Sequence, residues 1–218
     1  MKKRAKVLLV DDHAVVRGGL AQLISGEPDL AVCGEAPSAE AAVQLAEKVK
    51  PDLAIVDITL GGVNGIELIK NLKAIQPNLQ ILVLSMHDES HYAERALRAG
   101  AHGYVMKREA RDQIMQAIRT VLAGEVYVSG KIHRTILHQY LHGGGKDKSP
   151  IARLSDRELE VLNLLGEGLS SKDIAERLHL SPKTVDSHRT HLKEKLELAG
   201  APELIRFAFE WVSSQEIL

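Results

Sequence analysis

Leu53-Ala54-Ile55-Val56-Asp57 is the stretch that decides the fold: four apolar residues ending on one carboxylate. Pro51-Asp52 bounds it on one side and Gly61-Gly62 on the other, so it reads as a short strand buried on both faces, as in a parallel sheet. Two more apolar runs close on polar groups in the same way, Val7-Leu8-Leu9-Val10 on Asp11-Asp12 and Ile81-Leu82-Val83-Leu84 on Ser85. A weaker run, Gly103-Tyr104-Val105-Met106, closes on Lys107. The carboxyl ends of neighbouring parallel strands face one crevice, which brings these polar groups together. Asp57 is the candidate reactive centre.

Amphipathic stretches separate these runs, and their spacing predicts helices over 14–25, 38–49, 65–75, 90–99 and 110–122. A further strand begins near Ala31. Five strand-helix units with right-handed crossovers make an α/β domain with a flavodoxin-like, doubly wound parallel sheet of order 2-1-3-4-5. That order sets the first and third strands side by side, so Asp11, Asp12 and Asp57 become neighbours.

The chain has 218 residues, enough for two domains, with 44% apolar and 26% charged residues. Its one cysteine, Cys33, excludes a disulfide framework and a cysteine metal site. The basic start Met1-Lys2-Lys3-Arg4 leads into a short apolar run and then two aspartates, so no signal peptide is read, and no stretch is long enough to span a bilayer. A cytoplasmic location and no membrane partner are the expectation. The net charge of −1 carries no sign of nucleic acid, and nine basic against twelve acidic residues from Ser149 onward carry none either.

Composition shifts after Gly124. A short helix is predicted over 131–141, and Gly143-Gly144-Gly145-Lys146-Asp147-Lys148-Ser149-Pro150 has linker chemistry, which divides the chain into 1–124, 125–150 and 151–218. His138 and His142 stand one helical turn apart with no third ligand nearby, as on a solvated face. Beyond the linker the helices carry explicit caps. Ser155-Asp156-Arg157-Glu158 is a capping box, Gly166 and Gly168 end its helix, and a second helix covers 171–178. Ser181-Pro182 starts a third helix running to about Leu196, and Pro202 opens a fourth. Two short helices around a tight turn form an all-α helix-turn-helix domain.

Three adjacent carboxylates repel and need a cation to stay ionised together. Oxygen donors without cysteine or a positioned histidine point to Mg²⁺. Lys107 supplies a compact positive charge and Ser85 a hydroxyl donor, both suited to phosphoryl oxygens. With that support Asp57 can attack phosphorus in line and become an acyl phosphate.

The set Asp11-Asp12, Asp57, Ser85, Tyr104 and Lys107 resembles the receiver domain of two-component response regulators. The resemblance implies that Asp57 accepts a phosphoryl group from a sensor histidine kinase. It also implies that Asp12 and Asp57 ligate Mg²⁺ with the backbone carbonyl of Thr59, while Asp11 holds the ion through water. Ser85 would then move toward the phosphoryl group and Tyr104 would turn inward. One departure stands out: the family usually follows this aspartate with leucine, proline and glycine, whereas this chain has Leu60-Gly61-Gly62, a looser loop.

On the helix from Pro182, turning 100° per residue places Val185, Arg189, Leu192 and Leu196 on one stripe, mostly core. Lys183, Ser187, Thr190 and Glu194 point away, with Asp186, His191 and Lys193 on the flanks. Residues near the start of such a helix reach base edges while flanking cations meet phosphates. Lys172, Lys183, Thr184, Arg189 and Lys193 are DNA-contact candidates on that basis. His188 and His191 read as core-edge and phosphate-facing groups. The stretch Leu154-Ser155-Asp156-Arg157-Glu158 through Gly168 to Leu178 and on to Lys195-Leu196 resembles the LuxR-type helix-turn-helix. With the receiver, the chain is identified as a member of the NarL/FixJ subfamily. That resemblance puts Asp186, Ser187 and Thr190 where bases are read, and implies a homodimer on double-stranded promoter DNA once Asp57 is phosphorylated. Two other classes share these residues: a phosphatase or phosphotransferase using the same pocket, and a protein-docking module using the helices.

Overall fold

The structure, a computed structural model, describes residues 4–60, 63–86, 89–141 and 150–216. The chain divides after Tyr140 into two compact units.

The first unit alternates strands and helices: β1 (Ala5–Val10), α1 (Ala14–Ser25), β2 (Leu30–Ala36), α2 (Ala39–Val49), β3 (Leu53–Val56), β4 (Thr59–Leu60), β5 (Val63–Asn64), α3 (Gly65–Ile75), β6 (Gln80–Ser85), α4 (Glu89–Ala99), β7 (Gly103–Met106), α5 (Arg111–Leu122) and α6 (Gly130–Leu141). The main sheet has the order β2-β1-β3-β6-β7 with every pair parallel, which is 2-1-3-4-5 once the small hairpin is set aside. Every residue of β3 is buried, because helices cover both faces of the sheet. Leu9, Leu53, Ile55, Leu82 and Leu84 fill one side together with Ile114 and Ile118 of α5. Ser38 caps α2 through the Ala41 amide and Asn64 caps α3 through the Ile66 amide.

Two features were not legible as elements. The hairpin of β4 and β5 is antiparallel and flanks Gly61-Gly62, which lie outside the described residues, as do His142 and the glycine-rich stretch after it. The segment after α5 pairs with the edge of the sheet: Gly103 and Tyr127 form a parallel bridge, and Tyr104 N donates to Tyr127 O at 2.9 Å. An outer strand offers unpaired backbone groups, and Tyr127 meets some of them. Ile132 on α6 is buried, so this segment, expected to belong to the linker, packs as part of the first unit.

The second unit opens with a 3-10 turn, Pro150–Arg153, followed by α7 (Asp156–Gly166), α8 (Ser171–Arg177), α9 (Pro182–Lys195) and α10 (Ala201–Glu216). Its core gathers Leu159, Leu162, Ile174, Val185, Leu192 and Leu204. The Ser155–Glu158 box forms as read, and a second one, Ser170–Asp173, opens α8. Gly168, at φ +86°, makes the stop after α7. Gly166 has another task. It is the last helical residue, and a β-carbon there would stand 2.3 Å from the Ala208 carbonyl of α10.

Candidate functional site

Backbone pairing aligns the strand ends. Asp57 N donates to Val10 O at 2.9 Å, Asp11 N to Ala36 O at 3.2 Å, and Lys107 N to Ser85 O at 2.8 Å. Asp11, Asp57 and Ser85 are all buried at this end of the sheet. Lys107 Nζ lies 2.6 Å from Asp11 Oδ2 and 2.7 Å from Asp57 Oδ2, bridging the two carboxylates. Asp57 Oδ1 accepts from Thr59 N at 3.2 Å. Asp12 faces solvent, and its Oδ1 lies 2.6 Å from His13 Nδ1.

Burial pushes the Asp57 carboxyl up to about 6, outweighing Lys107, which pulls it down, while Asp11 adds to the rise. Burial also pulls Lys107 down, yet the two carboxylates outweigh it and hold the ammonium above its ordinary value. The pocket therefore holds two buried carboxylates on one cation. Asp11, Asp12, His13 and Asp57 bring one potential ligand atom each within 4.8 Å of one another. These donors, mostly carboxylate oxygens open to solvent on the Asp12 side, fit a hard divalent cation.

Two neighbours of this pocket had not been singled out. His13 touches both Asp12 and Asp11, and Arg17 Nη1 donates to the Asp11 carbonyl at 2.6 Å. The signal was available in outline, since His13 follows the aspartates directly and Arg17 stands one helical turn beyond it. Gly65 had no such signal. Its backbone lies so close to Asp57 that a β-carbon would stand 2.2 Å from the Asp57 carbonyl oxygen. Tyr104 is 1% exposed, so its ring lies inside the fold.

In the second unit, Ser181 caps α9 through the Thr184 amide, with Pro182 in the first turn. Lys172, Lys183, Asp186, Ser187 and Thr190 are exposed, while Thr184, Arg189 and Lys193 are half-buried. Thr184 Oγ1 shares a 2.8 Å hydrogen bond with Ser181 Oγ, which commits it to the cap. Arg189 turns onto α8, where Nη1 donates to Ser171 Oγ. Ser187 and Thr190 hydroxyls donate to the carbonyls of Lys183 and Asp186. Lys195 Nζ lies 2.6 Å from Glu158 Oε2 and ties α9 to α7. Burial pulls His188 below its usual value, which suits a core-edge position, and His191 is exposed.

A strand-end pocket of aspartates with a bridging lysine, joined to a capped helix-turn-helix, defines a response regulator with a DNA-reading output domain. Residues 7–119 match the response regulator receiver domain and residues 152–208 match the bacterial regulatory proteins of the luxR family, so the chain belongs to the response regulators of that type. It is 36% identical over 210 residues to the oxygen regulatory protein NreC of Staphylococcus haemolyticus (strain JCSC1435), covering 94% of this chain and 97% of that one. NreC of Staphylococcus carnosus (strain TM300) is 35% identical with the same coverage. Among solved structures, RcsB of Salmonella enterica serovar Typhimurium bound to promoter rprA with the phosphomimetic BeF3⁻ is 26% identical. It covers 94% of this chain and 98% of that one, with a TM-score of 0.65. A LuxR-family response regulator from Aurantimonas sp. SI85-9A1 is 37% identical over 64% of this chain and 99% of that one, with a TM-score of 0.59.

Proposed function

We propose that this chain is a phosphorylation-dependent transcription regulator that accepts a phosphoryl group on Asp57 from a sensor histidine kinase and then binds promoter DNA as a homodimer. The receiver is read over 1–124 and the DNA-reading domain over 151–218, and the first part of the connecting segment 125–150 packs with the receiver through Tyr127 and Ile132. The observation that carries the proposal is the bridge from Lys107 to Asp11 and Asp57 at 2.6 and 2.7 Å, beside the buried Ser85.

Asp11, Asp12 and Asp57, with the Thr59 carbonyl, would hold Mg²⁺, which supplies charge neutralisation for the phosphoryl oxygens. Asp57 presents a carboxylate oxygen to phosphorus. The bond from phosphorus to the donor breaks as the new P–O bond forms, and the donor leaves with its electron pair. Lys107, already between the carboxylates, can follow the new negative charge, and the Ser85 hydroxyl can donate to a phosphoryl oxygen. Ser85 and Tyr104 form the switch. Mg²⁺-dependent self-phosphorylation from small donors and self-dephosphorylation are the whole of its turnover. Two relatives support the output. RcsB is solved on promoter DNA with a phosphomimetic, and NreC is named a regulatory protein.

On α9, Lys183, Ser187, Thr190 and Asp186 face solvent where DNA would lie, with Lys172 and Lys193 nearby and Thr184 and Arg189 supporting the helix. Ile205 and Phe209 stand one turn apart on α10, 50% and 63% exposed, and give self-association an apolar strip. No helix among the described residues is long and apolar enough to cross a membrane; a cytoplasmic location is part of the proposal.

The test is incubation with acetyl phosphate and Mg²⁺ followed by peptide mass mapping. An acid-stable, base-labile mass gain on Asp57 that disappears in Asp57→Ala is expected. No gain, or a gain indifferent to that change, overturns the chemistry, and repeated turnover of an external phosphate ester would make the pocket a phosphatase.

A further inference from the structure

Asp186 lies on the exposed start of α9, yet its carboxylate is not left to rotate freely. Ser171 Oγ on α8 donates to Asp186 Oδ1 at 3.0 Å, and the same oxygen accepts from Arg189 Nη1 at 2.5 Å. A directed chain of hydrogen bonds thus runs from guanidinium to hydroxyl to carboxylate, across both helices of the helix-turn-helix. Arg189 and Ser171 are half-buried while Asp186 is exposed, so the chain is anchored at its inner end and open at its outer end. Asp186 Oδ2 accepts no hydrogen bond from the described residues and remains available.

We propose that Ser171 and Arg189 are positioning residues that aim the Asp186 carboxylate at one base, making this protein select cytosine at one position of each half-site. The proposal rests on the DNA-binding reading above and adds its specificity. A carboxylate only accepts hydrogen bonds. In the major groove the amino donors are cytosine N4 and adenine N6, and adenine places its N7 acceptor beside N6, where it repels a carboxylate. Guanine and thymine present acceptors at the corresponding places. Cytosine alone offers a donor without a competing acceptor on its own edge. A free aspartate at this position would mainly repel phosphate. The Ser171 link spreads part of the Arg189 charge toward it and holds the carboxylate in one orientation, which turns a general penalty into a choice among bases.

The experiment is selection from a pool of randomised duplexes by the full-length protein, treated with acetyl phosphate and Mg²⁺, for the wild type and for Asp186→Ala, Ser171→Ala and Ser171→Thr. Thermal unfolding of each variant is measured alongside. The wild type enriches cytosine at one position per half-site by roughly fivefold or more over the other bases. Asp186→Ala loses that preference and no other. Ser171→Ala reduces the same preference to about twofold or less with an unchanged unfolding midpoint, and Ser171→Thr, which keeps the hydroxyl, restores it. A preference pattern identical in the wild type and Asp186→Ala overturns the proposal. So does a Ser171→Ala variant that keeps the full preference, or one that weakens every position alike. If no sequence is enriched by any variant, the DNA-binding reading itself falls, a result distinct from these.

Discussion

Replacing Gly65 with alanine tests how closely the acceptor aspartate depends on the helix behind it. The new β-carbon would stand 2.2 Å from the Asp57 carbonyl oxygen and 2.6 Å from Ile58 Cα. Both obstacles are backbone, and β-carbons in folded proteins essentially never approach heavy atoms within 3.0 Å. Either α3 or the end of β3 must therefore retreat by roughly 0.8 Å. Overpacking of this kind costs about 1–3 kcal/mol. The Asp57 side chain moves with its backbone, and a misplacement of about 1 Å can slow a positioned reaction about 100-fold. The expected result is an urea midpoint lowered by a corresponding amount and an initial rate of acyl-phosphate formation from acetyl phosphate reduced about 10- to 100-fold. Gly18→Ala is the control. Gly18 lies inside α1 with nothing within 4 Å of the added carbon, so the change gains about 0.5–1 kcal/mol of helix stability and leaves the rate alone. A Gly65→Ala variant that is phosphorylated at the wild-type rate with an unchanged midpoint refutes the reasoning.

Asp57→Asn should stabilise the metal-free protein at pH 7 by about 1–3 kcal/mol, because the folded carboxyl is raised and its ionisation disfavours the fold. Its contribution is present below the unfolded value and lost as pH rises through about 6, so urea midpoints in chelator for wild type and variant should converge in acid and separate near neutrality. Glu158→Gln acts in the opposite direction. Burial raises that carboxyl, but Lys195 and Ser155 outweigh it and hold it low, so its stabilisation exists above the unfolded value and disappears as pH falls through the folded one. The variant should lose about 0.5–1.5 kcal/mol at pH 7, because Lys195 is partly exposed to solvent and screened, and show a flatter acid limb in circular dichroism. Lys183→Ala should weaken every duplex similarly and lower the slope of log affinity against log salt by about one; a weakening confined to one base position would make Lys183 a base reader instead.

Sequence alone settled the periodic features of this protein. Apolar runs ending on Asp11, Asp57, Ser85 and, more weakly, Lys107 read as buried parallel strands, and a parallel sheet sends those ends to one side. Ser155, Ser181 and Pro182 marked helix starts because capping is local, decided by side chains reaching their own backbone within three residues. Tertiary structure alone decided the rest. The contact of Gly65 with the Asp57 backbone, the chain from Arg189 through Ser171 to Asp186, and the strand-like docking of Tyr127 beside Tyr104 all join residues on different elements, beyond the reach of a local motif. Nothing periodic encodes such meetings. They depend on how close two elements pack and which polar groups that packing leaves facing each other, and both are fixed only when the whole chain has folded.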